Sequence, residues 1–491
     1  MSKKHLRREL GLLHSTMMGI GGAISAGAFV TLGYAATLAG TALIIAMIFC
    51  GVINFLTMLS YAELGAAIPS AGGEYTYTKA SFGGFVSFAT GWFEWISNMF
   101  FAAFSAVGFA YLLSYILPII NVPTVAIIAI AIFTVINIKG VKETGRTQTV
   151  LVIILVALLS VFVFLGLSTG QAAGNLEFSA PGGFLGVIKA SAFIFVVYLG
   201  GESIAVAQAE IKEPGKNIPR AIILSCLLLI VIYTTIAYVV FRIVPVDSLT
   251  GQTSPLAFVA KQFMGEVGVG MITVAGIIAA LTSINTSIMA QSRVAYALAR
   301  DGYFPQSFFN LHKRFSTPHI AILAGAIFVA ATAATGAVNF VTYATDFGFI
   351  IGFVFVNLSL IKLRRKRPNL ARPFKVPLYP LTPILGIASS LFLIFFLEPG
   401  TLIMGAELFL FGLLVYYIRM VDYCRICVAI GGMNLGVSAF SGLLAYLIIS
   451  NSLPIMLSSN TALILFVFAC LISMTYLAAG ILSITARNSG E

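Results

Sequence analysis

Runs of about 20 mostly apolar residues recur along this chain, separated by short polar loops. A helix rising about 1.5 Å per residue needs roughly that length to cross the hydrocarbon of a bilayer. The pattern predicts fourteen spanning helices, near 14–39, 41–68, 83–116, 122–138, 147–168, 184–208, 219–243, 267–299, 318–335, 339–362, 380–397, 401–419, 425–449 and 454–485. The one long polar stretch, Arg364 to Tyr379, is too short to bury a core of its own. The first apolar run follows Lys3, Lys4, Arg7 and Arg8 without a tidy cleavage site, so it reads as a spanning helix and not as a cleaved signal.

Composition agrees with that class. Hydrophobic residues make up 59% of the 491 and charged residues only 9%, where about 25% is usual in a soluble protein. The net charge of +11 raises the question of a nucleic-acid partner. The basic residues do not form one face interleaved with aromatics; they fall in short loops, the pattern of an orientation signal. With the N-terminus placed inside, every one of the 28 Lys and Arg falls on the inner side except Lys189, Arg242 and Lys261. A shift of one helix destroys the asymmetry. The expected topology is a multi-pass protein of the cytoplasmic membrane with both termini cytoplasmic. Five cysteines give no disulfide framework, and the lone pair Cys424 and Cys427 reads as two small apolar residues one turn apart, not a metal site.

Two helices interrupt the apolar pattern in the same way. The first holds Gly19-Ile20-Gly21-Gly22-Ala23-Ile24-Ser25-Ala26-Gly27, the sixth Tyr198-Leu199-Gly200-Gly201-Glu202-Ser203. Glycine weakens a helix interior by about 1 kcal/mol relative to alanine. Close helix packing accounts for either segment alone. Their separation by five helices points further, to two five-helix sets inserted upside down to each other, with discontinuous helices meeting near the midplane. The expected division is 1–168 and 169–362 for the two repeats, 363–420 for helices eleven and twelve, and 421–491 for two additional helices.

Such breaks free backbone N–H and C=O groups, tolerable in a membrane only where something satisfies them. A zwitterionic amino acid does so at both ends of the gap. Its carboxylate suits the N–H groups of Ser25, Ala26 and Gly27 at a half-helix N-terminus. Its ammonium suits the carbonyls of Ala23, Val196, Val197 and Leu199. A ligand read through its backbone atoms leaves side-chain preference poorly encoded.

Charged and hydroxylic residues inside the runs add candidates. Glu202 is either a structural carboxylate capping nearby N–H groups or a group of coupling, gating or cation attraction. Asp346 in the tenth run is a second coupling candidate, and Glu94, between Trp92 and Trp95, anchors the third helix or serves function. On the eighth helix, Thr282, Ser283, Thr286 and Ser287 lie beside Asn285. Thr286 and Ser287 are the candidate sodium ligands, with bonds to their own helix as the alternative. No metal-binding or Ser/His cluster occurs within the helices, which argues against an enzyme.

Five segments resemble the amino acid–polyamine–organocation superfamily, near its cationic amino acid transporter branch. They are GIGGAISAGAFV (19–30), YAELGAAIPSAGGEYTYTKASFG (61–83), YLGGESIAVAQAEIKEPGKNIPRAI (198–222), SRVAYALARDGYFP (292–305) and RPNLARPFKVPLYPLTPILG (367–386). The resemblance implies a leucine-transporter-like fold of five plus five inverted helices. It implies secondary active transport of an amino acid by alternating access, as symport or exchange. By position, Ala26 and Gly27 match carboxylate-binding residues; Ala23, Val196 and Leu199 match amine-binding carbonyls. Glu202 matches an acid linked to proton-dependent gating, beside Tyr198 and Gly201, the latter standing where many relatives carry an aromatic. Leu155 stands where some proton-coupled relatives carry a lysine. Expected requirements are no cofactor, a coupling proton or sodium ion, a small amino acid substrate, the lipid bilayer and no nucleic acid. The sequence leaves oligomeric state open. A polyamine transporter and a non-transporting amino acid sensor are the rival expectations.

Overall fold

A computed structural model describes residues 6–25, 27–117, 119–170, 179–252, 254–335, 338–394, 399–420, 427–449 and 459–485. Seventeen helices are present among them: α1 (Leu12–Ala23), α2 (Gly27–Ala39), α3 (Leu43–Ala67), α4 (Gly73–Ser81), α5 (Gly84–Ile116), α6 (Val122–Lys139), α7 (Val141–Ser168), α8 (Gly183–Ile194), α9 (Glu202–Val206), α10 (Pro214–Ile243), α11 (Pro255–Arg300), α12 (His319–Ala334), α13 (Val338–Lys366), α14 (Leu381–Ile394), α15 (Pro399–Met420), α16 (Cys427–Ile449) and α17 (Ser459–Thr485). Eight helical stretches are each long and apolar enough to cross a membrane, and five shorter apolar helices accompany them among the described residues. The protein is an all-helical membrane protein.

The predicted spans map onto these helices with three instructive differences. The first predicted span is two helices, α1 and α2, and the sixth is α8, a 3-10 turn (Phe195–Tyr198) and the short α9. The eighth begins twelve residues early, at Pro255, and Gly265 at φ 62° kinks it where the hydropathy pattern starts. α4 lies between the second and third spans; its Glu74, Thr76, Thr78 and Lys79 hide it from a hydropathy ruler, yet Glu74 and Thr78 are fully buried.

Packing relates the two halves. α3 lies against α10, α5 against α11 and α6 against α12, so the second, third and fourth spans each contact the seventh, eighth and ninth. This is the pairing expected of two five-helix sets related by a two-fold axis in the membrane plane. α1 packs among α7, α9, α10 and α11 at the centre. α16 and α17 form a hairpin to one side. Ser438 and Ser473 join it, each donating to the other's carbonyl at 2.8 and 2.9 Å. The Tyr476 hydroxyl of α17 donates to the Leu410 carbonyl of α15. Cys424 and the side chain of Cys427 lie outside the described residues.

Candidate functional site

The backbone of α1 leaves the helical path at Ile24 (φ −73°, ψ 94°), whose N–H still bonds the Ile20 carbonyl. Chain direction resumes at α2, where the hydroxyl of the fully buried Ser25 accepts from the Gly27 N–H at 3.3 Å. Ser25 therefore caps the start of the second half-helix with its hydroxyl, a role that short hydroxylic side chains suit. Ala26 lies outside the described residues.

The sixth span breaks through a 3-10 turn and then Gly200, at φ 131°. A side chain is strained in that conformation, and there is no room for one. A Cβ on Gly200 would stand 2.2 Å from the Ala23 nitrogen and from the Gly22 carbonyl carbon. A Cβ on Gly22 would stand 2.8 Å from the Gly200 oxygen. The two breaks thus touch, backbone on backbone. Glu202 opens α9 and accepts from the Gly200 N–H at 2.8 Å, while the Ser203 hydroxyl donates to the Gly200 carbonyl at 2.6 Å.

Hydroxyls from neighbouring helices reach the freed carbonyls. Tyr233 of α10 donates to the Val197 carbonyl at 2.9 Å and lies 3.4 Å from that of Ala23, bridging the two breaks. Ser283 of α11 lies 3.3 to 3.5 Å from the carbonyls of Gly21, Gly22 and Ile24. Tyr198 turns away and donates to the Met47 carbonyl of α3 at 2.8 Å. Ala23, Val197 and Leu199 are buried at the crossing, and Val196 lies in the 3-10 turn with its side chain outside the described residues. Gly201 faces the Met58 sulfur, 3.1 Å from where its Cβ would be. The space beside the crossing, edged by Ile24, Phe29, Met47, Leu159, Val197 and Tyr233, is ≈ 10 Å³, about enough for one water.

Of the hydroxyls proposed as sodium ligands, Thr286 bonds the Thr282 and Ser283 carbonyls of its own helix at 2.9 and 3.2 Å, and Ser287 is buried beside it. Ser283 is the one that reaches α1. Asp346 is on α13, with its side chain outside the described residues. Leu155 is buried on α7, and two turns earlier the buried Gln148 accepts from Asn285 at 2.9 Å; its own amide nitrogen, 2.3 Å from a Cβ on Gly21, has no partner. Neither Tyr233 nor Gln148 carries a sequence signal, since a tyrosine or a glutamine in an apolar run is read as packing until the fold brings it to the break.

Four of the five quoted motifs, all but 19–30, meet at the end of the bundle that holds residue 10. Glu9 and Leu10 donate their N–H groups to the Glu210 carbonyl at 2.9 and 3.0 Å, and Lys212 returns one to Leu10 at 2.8 Å. The Glu210 carboxylate takes Arg293 in a two-pronged bond, 3.1 Å on each arm, with both side chains out of water. Glu63 takes Arg364 at 2.9 and 2.5 Å, Arg372 at 3.2 Å and the Val376 N–H at 2.7 Å. At the rim, Asp301 accepts from Tyr75 at 2.6 Å and from Lys79 at 2.5 Å. Its half-burial pushes the carboxyl up, and the bonds from Lys79, Tyr75 and Arg300 outweigh that and hold it below the usual range.

A family model described as amino acid permease matches residues 10–418, which covers both breaks and all five motifs. The chain belongs to that family. It is 28% identical over 438 residues to the branched-chain amino acid permease BcaP of Bacillus subtilis, an alignment covering 85% of this chain and 94% of that one. It is 30% identical over 439 residues to the methylthioribose transporter of the same organism, covering 84% and 94%. The BcaP of Lactococcus lactis is 27% identical over 452 residues, covering 84% and 95%. The protein is a permease of the amino acid–polyamine–organocation superfamily and not an enzyme. The α16–α17 hairpin lies beyond the family match.

Proposed function

We propose that this permease is a secondary active transporter of small neutral amino acids in the cytoplasmic membrane, working by alternating access with both termini inside. The observation that carries the reading is the contact of the two breaks, Gly200 on Gly22 and Ala23. It brings freed carbonyls and a half-helix N-terminus to one place in mid-membrane. There the substrate carboxylate takes the N–H groups at Ser25, Ala26 and Gly27, displacing the Ser25 hydroxyl from Gly27. The ammonium takes the Ala23 and Val197 carbonyls that Tyr233 now bridges, with Val196 and Leu199 beside them.

The apolar edge of the crossing (Ile24, Phe29, Met47, Leu159) supports an apolar side chain over a cationic one, and the branched-chain permeases among the relatives point the same way. Residues 1–168 and 169–362 act as the two repeats. The Glu210–Arg293 pair and the bonds from Glu9 and Leu10 close the inner end, and Glu202, Tyr198, Gly201 and Asp346 gate or couple the movement. A sodium ion at Thr286 and Ser287 would have to draw both hydroxyls from their present surroundings.

One relative supports a second reading. Methylthioribose has neither carboxylate nor ammonium, so a chain of this family can be named for a substrate that uses neither contact. Purified protein in liposomes separates the two. The expected outcome is uptake of labelled leucine, isoleucine or valine, with none of lysine or a polyamine. Uptake of methylthioribose alone would replace the amino acid reading with the second one.

A further inference from the structure

Four carboxylates are buried at the inner end, and they fall into two kinds. Glu63 and Glu210 are each held by arginine. Glu74 and Glu94, equally buried, form no ion pair among the described residues. Glu94 has a hydrogen-bond partner for each oxygen. Its two oxygens accept the N–H groups of Glu74 and Tyr75 at 3.3 and 3.2 Å, in the first turn of α4, where the helix dipole favours negative charge.

Glu74 is not provided for. The Tyr61 hydroxyl of α3 donates to Oε1, and Oε2 has no hydrogen-bond partner. That oxygen lies against the backbone of Gly352 in α13, 1.8 Å from where an alanine Cβ would stand. Acids face Glu74 from two elements, Glu94 of α5 and Glu202 of α9, and phenols from α3 and α4, Tyr61 and Tyr77. Of the cations on the packed helices, Arg293 of α11 is committed to Glu210, Arg364 of α13 to Glu63, and Lys79 of α4 and Arg300 of α11 to Asp301; Lys362 of α13 lies over the Phe82 ring, and Arg365 and Lys366 at the end of α13 are exposed. Burial first, and then the charge of Glu94, hold the Glu74 carboxyl well above the usual carboxylate range. An ion with one hydrogen bond and no counter-charge is far costlier to bury than a neutral acid.

We propose that Glu74 is a proton-binding site that gates the opening of this end of the bundle. Its carboxyl is neutral while α4, α5, α9 and α13 are packed together. When α9 moves away and that end opens, water reaches the group, the O–H bond breaks, and the proton leaves to the inner solution while the carboxylate is hydrated. Closing that end again takes a proton from the same solution to re-form the acid, so the opening and closing of the inner end follow the pH on that side. The inference deepens the transport reading above and rests on it. It gives the loop helix α4, which no hydropathy pattern reveals, a chemical task, and explains why position 352 is glycine.

Infrared spectroscopy of the purified full chain in liposomes at neutral pH tests the site without a substrate. The expected result is loss of one neutral-acid C=O band in Glu74→Gln, with Glu74→Asp retaining a shifted one. In uptake at a fixed outer pH, the native protein is expected to change its rate with the pH on the inner side, and Glu74→Gln to lose that dependence. An unchanged infrared spectrum, or a Glu74→Gln protein whose uptake keeps the native dependence on inner pH, overturns the proposal. Should the glutamine variant fail to fold, the pH midpoint of uptake in Glu74→Asp decides. The shorter side chain withdraws Oε2 from Gly352, so a moved midpoint supports the site and an unmoved one overturns it. If no amino acid in the panel is carried, the amino acid reading fails, and the infrared result still stands for or against the proton site.

Discussion

The crossing of the broken helices and the end of the bundle that holds residue 10 are both buried and both polar, yet they are held by opposite means. At the crossing no ion pair occurs among the described residues. Backbone meets backbone at Gly200 and Gly22, and single hydroxyls of Ser25, Tyr233 and Ser283 cover the freed groups at distances out to 3.5 Å. At the end that holds residue 10, Glu63 and Glu210 meet arginines in two-pronged bonds of 2.5 to 3.1 Å. Long hydroxyl contacts are cheap to exchange for a ligand, because each is worth about 0.5–1.5 kcal/mol net. A buried charge pair is different: breaking it by removing one partner costs about 3–5 kcal/mol, since the other charge is left stranded. The contrast is the one the proposed transport cycle calls for: contacts that exchange readily at the crossing, and contacts that part only in a large movement at the other end.

The largest expected effect breaks the charged side of this comparison. Arg293→Ala strands Glu210 in a dry site and should cost about 3–5 kcal/mol, read as a lower temperature of unfolding in detergent, whereas Glu210→Gln with Arg293→Met together should recover most of it. Gly200→Ala attacks the crossing itself. Overpacking against the backbone of Ala23 costs about 1–3 kcal/mol, and left-handed strain adds about 1–2 kcal/mol. Substrate binding measured by calorimetry should be lost even where folded protein is recovered.

Tyr233→Phe is gentler. Stability should fall by about 0.5–1.5 kcal/mol, and substrate affinity should change because the Val197 and Ala23 carbonyls lose their bridging hydroxyl. Thr286→Ala sharpens the comparison from the other side: its hydroxyl serves only its own helix, so a role in sodium binding predicts lost sodium dependence and a structural role predicts none. Smallest is Asp301→Asn at the rim. Because Asp301 is held below the usual range in the folded protein, its contribution is present above its unfolded value and fades as pH falls through the folded one. The thermal stabilities of native and variant protein should therefore differ near neutrality and converge in acid.

The sequence made the helical class, both breaks and the five-helix spacing legible, because apolar length and glycine clusters are local signals. The starts of α10 and α11 were not, since Pro214 and Pro255 each open a helix through polar or mixed residues that a hydropathy ruler skips. α4 was invisible for the same reason. At the site, the carbonyls near Ala23 and Val197 followed from backbone chemistry alone. Ser283 was among the hydroxyls expected near the freed carbonyls of the first helix; Tyr233 and Gln148 were not legible, because what each touches lies 36 to 210 positions away. Glu94, expected as an anchor at the interface or a functional acid, is a fully buried cap of α4, a role that only the docking of that loop helix creates.

The central claim, that the crossing reads an amino acid through its carboxylate and ammonium, is tested most directly by competition. Uptake of labelled leucine into liposomes would be measured against an excess of unlabelled leucine, the same molecule without its carboxylate, and the same molecule without its amine. The account predicts full competition by leucine and little by either analogue. Equal competition by an analogue lacking one group, with Gly200→Ala as the inactive control, would contradict it.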